Sequence, residues 1–229
     1  SAETRQERPW ALGAQLDARR AMRPIFSEEQ ERLCVAKLDG GPRLVRGVAG
    51  SGKTVVLAHW LARTLASTEE RRGPHWVVYG NAALKTLLDE TISTAWRTVG
   101  DGTDNPPARQ MQVLHIAHLL ELLELEMNSR KPHGDEVFDY NLRASRLLQR
   151  ARSGGIAARA RSLFVDEAQD MGPSTMELLA RLVEQRDSAD PNSKAINIFY
   201  DNAQNLYGRA APNWKAIGLD MRGRSSVMK

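Results

Sequence analysis

The sequence has one cysteine and no long apolar run, and each of these absences excludes a class of protein. Cys34 stands alone among 229 residues, so neither an internal disulfide nor a cysteine-based zinc site is available. No apolar stretch approaches the roughly 18 residues that a membrane-spanning helix needs. The first residues are polar and charged, unlike a signal peptide. We therefore expect a cytoplasmic protein with no membrane association.

Acidic residues are missing from one stretch, although the chain as a whole is only mildly basic. The formal net charge is +4, yet residues 140–165 carry six arginines and no aspartate or glutamate. Arg143, Arg146 and Arg150 share one face of a predicted helix. This face fits either contact with nucleic-acid phosphates or an ordinary solvated helix surface, and the residues alone leave both interpretations open.

The arrangement of apolar segments predicts one large α/β domain. With 229 residues, 41% of them hydrophobic, the chain can bury one sizeable core. Short apolar runs alternate with stretches whose apolar residues recur every three or four positions, which is the pattern of strands alternating with helices. Such alternation favours a mostly parallel sheet covered by helices. The predicted strands centre on Leu44–Val45, His75–Tyr79, Met111–Ile116, Leu163–Val165 and Ala195–Tyr200.

A glycine-rich stretch after the first predicted strand is typical of a phosphate-binding loop. Gly47 to Thr54 spells G-x-x-x-x-G-K-T without a gap, and a helix with an apolar stripe follows it. Glycines permit a backbone path that turns several N–H groups inward, Lys53 would reach the β- and γ-phosphates, and Thr54 would offer its hydroxyl to Mg²⁺. The residues predicted to surround the phosphates are Gly47, Ala49, Gly50, Ser51, Gly52, Lys53 and Thr54.

Two carboxylates follow the fourth predicted strand. Asp166 and Glu167 come directly after Leu163–Val165, which places them at the carboxyl edge of a sheet, where open α/β folds bind ligands. Asp166 would hold Mg²⁺, and Glu167 would polarise the water that attacks a γ-phosphate. An Asp-Glu pair after a strand is ordinary by itself, but together with the glycine-rich loop it predicts a nucleoside-triphosphate site.

Three further candidates each have a structural alternative. Gln30 is spaced from Ser27 as in a capping box, so its amide either closes a helix start or recognises an adenine edge. Gln204 follows the fifth predicted strand and is either a sensor of the γ-phosphate or a polar loop residue. Tyr207 either stacks on a base or buries its ring.

In order and spelling, these motifs resemble the first RecA-like domain of a superfamily-one helicase of the UvrD/Rep type. The resemblance runs from about Phe26 to Tyr207, and its most specific part is Gln169-Asp170 after the acidic pair. The matching segments are Phe26–Gln30 for the adenine-reading motif, Gly47–Thr54 for the phosphate loop, Tyr79–Ala83 for a DNA-contacting motif and Tyr200–Gly208 for the motif that couples γ-phosphate to DNA. The family's Thr-aromatic-His signature is replaced by Leu114-His115-Ile116-Ala117-His118, a departure from the family pattern.

The resemblance implies roles for individual residues and an activity for the protein. It implies a DNA helicase that uses ATP and Mg²⁺, acts as a monomer and moves on single-stranded or partly duplex DNA. The implied catalytic residues are Lys53, Glu167 and Gln204, the implied adenine reader is Gln30, and the implied DNA contacts are Asn81, His118 and Tyr207.

The resemblance also implies a division of the chain. Residues 1–24 are expected to be a linker or the tail of an upstream element, and residues 25–217 a RecA-like P-loop NTPase domain. This domain is expected to have three α/β/α layers, a mostly parallel five-strand sheet and a short insertion around 97–160. Residues 218–229 would begin the connection to a second RecA-like domain, whose arginines complete the ATP site in this family. Because such an arginine is typically worth about 10³–10⁵ in rate, we expect the 229-residue chain alone to be weakly active or inactive.

Two other functions are compatible with the sequence. One is a P-loop ATPase coupled to a nuclease or restriction system that does not unwind DNA. The other is a non-catalytic nucleic-acid-binding module in which the loop is a relic. The intact set Lys53, Thr54, Asp166 and Glu167 favours an active ATPase over the relic.

Overall fold

The core of the molecule is a six-stranded sheet in which every pair of neighbouring strands runs parallel. A computed structural model describes residues 26–70, 73–100, 103, 105–151, 155–201 and 213–229. The predicted α/β fold is confirmed, with one strand more than the five expected. The strands are β1 (Arg43–Gly47), β2 (His75–Tyr79), β3 (Met111–His115), β4 (Ser162–Asp166), β5 (Ile196–Asp201) and β6 (Ser225–Met228), in the spatial order β3-β2-β4-β5-β1-β6.

Helices cover both faces of the sheet, which is the usual arrangement for parallel strands. One face packs against α1 (Glu28–Cys34), α2 (Lys53–Ala66) and α3 (Lys85–Val99), and the other against α4 (Ile116–Glu126), α5 (Tyr140–Ala151) and α6 (Pro173–Arg181). Neighbouring residues of a strand therefore enter different cores. Phe164 packs under α1–α3, whereas Val165 belongs to the core under α4–α6. Within the described ranges, no helix combines the length and apolar character needed to cross a bilayer.

One strand lies in a stretch where the sequence predicts none. β6 lies within residues 218–229 and pairs with β1 from Leu44↔Ser225 to Gly47↔Met228. Only Met228 of its four residues is buried, so the strand leaves a weak apolar signal. The range 97–160, expected to hold a short insertion, contains the predicted strand β3 together with α4 and α5, and β3 pairs with β2 along its full length.

Two helices are shorter than the sequence predicts. The apolar spacing predicts a first helix from about residue 25 to about Leu38, but α1 ends at Cys34, where the Leu33 carbonyl accepts from the indole N–H of Trp60 at 2.6 Å and from the Ala36 N–H at 3.0 Å. The capping-box start at Pro173 predicts a helix to about Arg186. That helix ends at Arg181, and residues 183 and 185 form isolated bridges with residues 160 and 194.

The arginine-rich stretch joins elements of the protein, and one of its arginines is buried. Arg143 is 3% exposed, and its guanidinium donates to both carboxylate oxygens of Glu124 on α4 at 2.8 Å. Arg146 donates to Glu136, and Arg150 to the carbonyl of Met127. Both expectations for this helix face, a solvated surface and a phosphate contact, are therefore wrong for Arg143. Helical spacing correctly predicts that Arg143 lies on a helix, but its partner Glu124 belongs to another helix and could not be predicted from that spacing.

Removal of the carboxylate that pairs with Arg143 should destabilise the protein strongly. We expect Glu124→Ala to cost about 3–5 kcal/mol in free energy of unfolding, because the variant leaves a buried guanidinium without its counter-charge. The double variant Glu124→Leu with Arg143→Met should recover most of that loss. Urea unfolding followed by circular dichroism measures both. The control is Glu177→Ala, because its exposed pair with Arg181 should be worth less than about 1 kcal/mol; equal losses for the two alanine variants would contradict the prediction.

Candidate nucleotide-binding site

The glycine-rich loop joins β1 to the first turn of α2. Gly47 closes the strand, and Gly52 is the N-cap of the helix with a φ of 85°, in the left-handed region that glycine tolerates. The first N–H groups of a helix have no partner within it, and α2 has no acidic residue in its first turn. The positive end of the helix dipole is therefore available to an anion, as in other phosphate-binding loops.

Two glycines of the loop have no room for a side chain. A Cβ on Gly47 would lie 2.6 Å from Ser51 Oγ, and a Cβ on Gly52 would lie 2.2 Å from Gln30 Nε2. Among the residues that the structure describes, the buried Ser51 hydroxyl has no hydrogen-bond partner. A phosphate oxygen in the loop would give this hydroxyl an acceptor, so the loop fits the predicted ligand.

Lys53 lies inside the loop rather than in solvent. Its side chain belongs to a residue that is 5% exposed, and its ammonium donates to the carbonyl oxygens of Gly47 at 3.1 Å and Val48 at 2.9 Å. An ammonium has three protons to donate, so one donor remains beyond these two carbonyls. This position fits the predicted contact between Lys53 and the β- and γ-phosphates.

Thr54 and Asp166 meet across the site. The Thr54 hydroxyl donates to Asp166 Oδ2 at 3.0 Å, and the backbone N–H of Glu167 donates to Oδ1 at 3.1 Å. Asp166 is 1% exposed. Burial and the neighbouring charge of Glu167 raise the pKa of Asp166 to about 6, although the two hydrogen bonds oppose the shift. A bound cation would favour the ionised form, and a hydroxyl with a carboxylate is a donor set that suits Mg²⁺.

Glu167 faces the same cavity as the phosphate loop. A cavity of about 270 Å³ is lined by Lys53, Thr54, Asp166 and Glu167, together with apolar residues of α3 such as Leu87. The backbone of Glu167 has a φ of 52°, in the left-handed region that residues other than glycine seldom adopt. The structure thus brings together the four residues on which the predicted chemistry depends, although β1 and β4 are not neighbours in the sheet.

Gln30 makes the predicted helix cap and also contacts the loop. Its Oε1 accepts from the Ser27 N–H at 2.9 Å, while the Ser27 hydroxyl accepts from the Gln30 N–H at 3.2 Å. Its Nε2 donates to the carbonyl of Ser51 at 2.9 Å. Both ends of the amide are therefore engaged by the protein, but Nε2 keeps a second proton and Oε1 a second lone pair for a ligand such as adenine.

The predicted DNA contacts lie at the same edge of the sheet, as far as the structure describes them. Gln204 and Tyr207 fall outside the described residues. Asn81 is exposed after β2, where its side chain accepts from the Ala83 N–H at 3.0 Å. His118 is exposed on α4. His115, in contrast, lines a groove of about 520 Å³ together with Asn81.

An aromatic residue without a distinguishing sequence signal lines this groove. Phe138 is 77% exposed and lines both the groove beside Asn81 and an adjoining one of about 670 Å³. We call these two cavities together the edge groove. An exposed ring on a groove wall offers a face on which a base can stack. It lies between two helices in an irregular segment, where no periodic pattern distinguishes it from other loop residues.

Replacement of Lys53 should abolish nucleotide binding or weaken it severely. We expect Lys53→Ala to lower the affinity for ATP by about 100-fold or more, because hydrogen bonds between charged groups are worth about 1.5–3 kcal/mol each. Isothermal titration calorimetry on the variant measures the effect. The control is Lys37→Ala, which removes an exposed lysine away from the loop; unchanged ATP affinity in Lys53→Ala would rule out the assigned site.

Comparison with known proteins agrees with the geometry of the site. A family described as the AAA ATPase domain matches residues 27–196, about three quarters of the chain. No curated protein matches the chain. The matched range contains the phosphate loop, the acidic pair, the four strands β1 to β4 and the first residue of β5. The chain therefore belongs to the AAA ATPase domain family of P-loop nucleoside triphosphatases.

Proposed function

We propose that this chain is the ATP- and magnesium-binding motor domain of a DNA helicase, coupling hydrolysis to movement on single-stranded DNA. The observation that carries the ATPase is the single cavity that contains Lys53, Thr54, Asp166 and Glu167. Family membership supports the same activity. The DNA-directed part is supported by the resemblance of the motifs and by the position of the edge groove at the same sheet edge.

Each residue of the cavity has a role in the proposed reaction. Thr54 and Asp166 would hold Mg²⁺, which when bound offsets charge on the β- and γ-phosphates. Lys53 would donate to the same phosphates from within the loop. Glu167 would accept a proton from water as the water oxygen attacks the γ-phosphorus and the bond to the leaving oxygen of ADP breaks. Gln204 would sense the γ-phosphate from the segment after β5.

The remaining parts of the proposal concern the adenine and the partners. Gln30 would read the adenine edge with the Nε2 proton and the Oε1 lone pair that its contacts with Ser51 and Ser27 leave over. Asn81, His118 and Tyr207 would contact DNA. A second RecA-like domain would supply the arginine that the reaction needs, so the 229-residue chain alone, as a monomer, would turn over ATP weakly.

The charge of the edge groove limits how DNA can be bound there. Its described lining includes Asp135, Asp139 and Asp170 and contains no lysine or arginine. Phosphates would be repelled by this surface, so a strand in the groove would turn its bases toward Phe138 and Tyr140.

The acidic lining leaves a second candidate function, a P-loop ATPase coupled to a nuclease or restriction system that does not unwind DNA. The two candidates differ in strand displacement. If the protein is a helicase, the full-length protein with ATP should displace a strand from partly duplex DNA. Hydrolysis of ATP without strand displacement would favour the second candidate.

Replacement of Glu167 should separate ATP binding from hydrolysis. We expect Glu167→Gln in the full-length protein to bind ATP with nearly normal affinity but to lose turnover by about 10²–10⁴-fold, because the amide cannot accept the proton. Phosphate release and binding of a fluorescent ATP analogue measure the two steps. Glu177→Gln, an exposed glutamate on α6, is the matched control. Near-normal phosphate release from Glu167→Gln would exclude Glu167 as the base.

Phe138 should contribute to DNA binding without affecting the nucleotide site. We expect Phe138→Ala to weaken oligo-dT binding by about 5–150-fold, since stacking on one aromatic ring is worth about 1–3 kcal/mol, whereas Phe138→Tyr should retain it. Fluorescence anisotropy measures the affinity. Leu125→Ala is the control, because Leu125 is 70% exposed and lies on α4. Equal affinity of wild type and Phe138→Ala would remove the edge groove from the proposal but leave the ATPase intact.

A further inference from the structure

We propose that Gln169 is a positioning residue that holds the carboxylate of Glu167 in place and ties it to the end of the strand beside the phosphate loop. The inference rests on the proposed hydrolysis of ATP at this site. It concerns a residue that contacts neither the phosphate loop nor the Thr54–Asp166 pair and acts through Glu167.

The Gln169 side chain bridges two parts of the site. It is 8% exposed, its Nε2 donates to Glu167 Oε2, and its Oε1 accepts from the backbone N–H of Asp201 at 2.9 Å. A primary amide offers a donor and an acceptor at its two ends. Neither a carboxylate nor an aliphatic side chain could make both contacts, so the residue type matches the position.

The hydrogen bond from the Asp201 N–H to Gln169 lies beyond the point where the pairing of β4 with β5 ends. The ladder between β4 and β5 ends at the pair Val165↔Ile198, whereas β5 continues to Asp201. On its other side β5 remains paired with β1, and Asp201 is the register partner of Gly47, the first residue of the phosphate loop. Gln169 therefore links Glu167 to the end of β5, the strand that pairs with β1 at the start of the phosphate loop. The link lies beyond the last residue pair between β4 and β5.

Glu167 needs such support. Its backbone is in the left-handed region, which a residue other than glycine keeps only when its surroundings hold it there. In the described part of the chain, the amide of Gln169 is the group that hydrogen-bonds its carboxylate. Without that donor, the carboxylate would sample other rotamers within the cavity, and misplacement of a catalytic group by about 1 Å can cost on the order of 100-fold in rate.

A purely structural role for Gln169 makes a different prediction. If the side chain only satisfied the Asp201 N–H, its loss would slow hydrolysis independently of Glu167, and the losses in Gln169→Ala/Glu167→Gln would multiply. In the positioning role, Gln169→Ala removes the donor to Glu167 and costs nothing more once that carboxylate is gone. Gln169→Glu removes the same donor and places a like charge against Glu167, so it should also slow hydrolysis. The two roles are therefore distinguished by the double variant.

The test compares Gln169→Ala, Gln169→Glu, Glu167→Gln and the double variant Gln169→Ala/Glu167→Gln in the full-length protein. Binding of a fluorescent ATP analogue and single-turnover hydrolysis at saturating ATP are measured for each. We expect both Gln169 variants to hydrolyse ATP about 10–100-fold more slowly while ATP affinity changes less than about threefold. The double variant should be no slower than Glu167→Gln, because Gln169 acts through the carboxylate that this variant lacks.

The same two measurements, ATP-analogue binding and single-turnover hydrolysis, are made on a control variant. Gln110→Ala removes another partly buried glutamine, before β3 at the opposite edge of the sheet, and should hydrolyse ATP at the wild-type rate. Wild-type hydrolysis by Gln169→Glu, or losses that multiply in the double variant, would overturn the positioning role and leave the proposed function intact. Failure of the wild-type protein to hydrolyse ATP would overturn the proposed function and this inference together.

Discussion

The hydrogen bond from the Thr54 hydroxyl to Asp166 is the contact around which the rest of the site is arranged. It joins the start of α2 to the end of β4, although β5 separates β4 from β1 in the sheet. The two groups meet only because all these strands run parallel and end at one edge. Asp166 is also buried, and burial raises its pKa to about 6 although the hydrogen bond from Thr54 opposes the shift. A cation bound there would favour the ionised carboxylate.

Several parts of the site could be predicted from the sequence because their signals are local. The spacing of Ser27 and Gln30 specifies a helix cap, and both hydrogen bonds of that cap are present. The glycine-rich loop is recognisable because its turn needs glycine: Gly52 has a φ of 85°, and a Cβ on Gly47 would lie 2.6 Å from Ser51 Oγ. The two interpretations of Gln30, cap and ligand reader, are not exclusive in space, since the capping amide also contacts Ser51. Sequence spacing could not show this, because the contact joins residues 21 positions apart.

The features that could not be predicted from the sequence involve contacts between residues far apart in the chain. Helical spacing placed Arg143 beside Arg146, but its partner Glu124 lies 19 residues away on another helix. The neighbouring arginines are likewise held by acidic residues or carbonyls, which explains how a stretch without acidic residues can serve the fold rather than a nucleic acid. Phe138 lies in an irregular segment, and β6 has one buried residue in four, so neither produces a periodic signal.

The segment 166–170 is short, yet it lines both the nucleotide cavity and the edge groove. Asp166 and Glu167 line the cavity, while Asp170 lines both parts of the groove that contains Phe138. A turn of 3₁₀ helix, Ala168–Asp170, connects them, and Gln169 within it is anchored to β5. A movement of Glu167 on nucleotide binding would therefore displace a groove residue three positions away. The proposed coupling between hydrolysis and a bound strand thus needs no path through the distant core, since one short segment lines both sites.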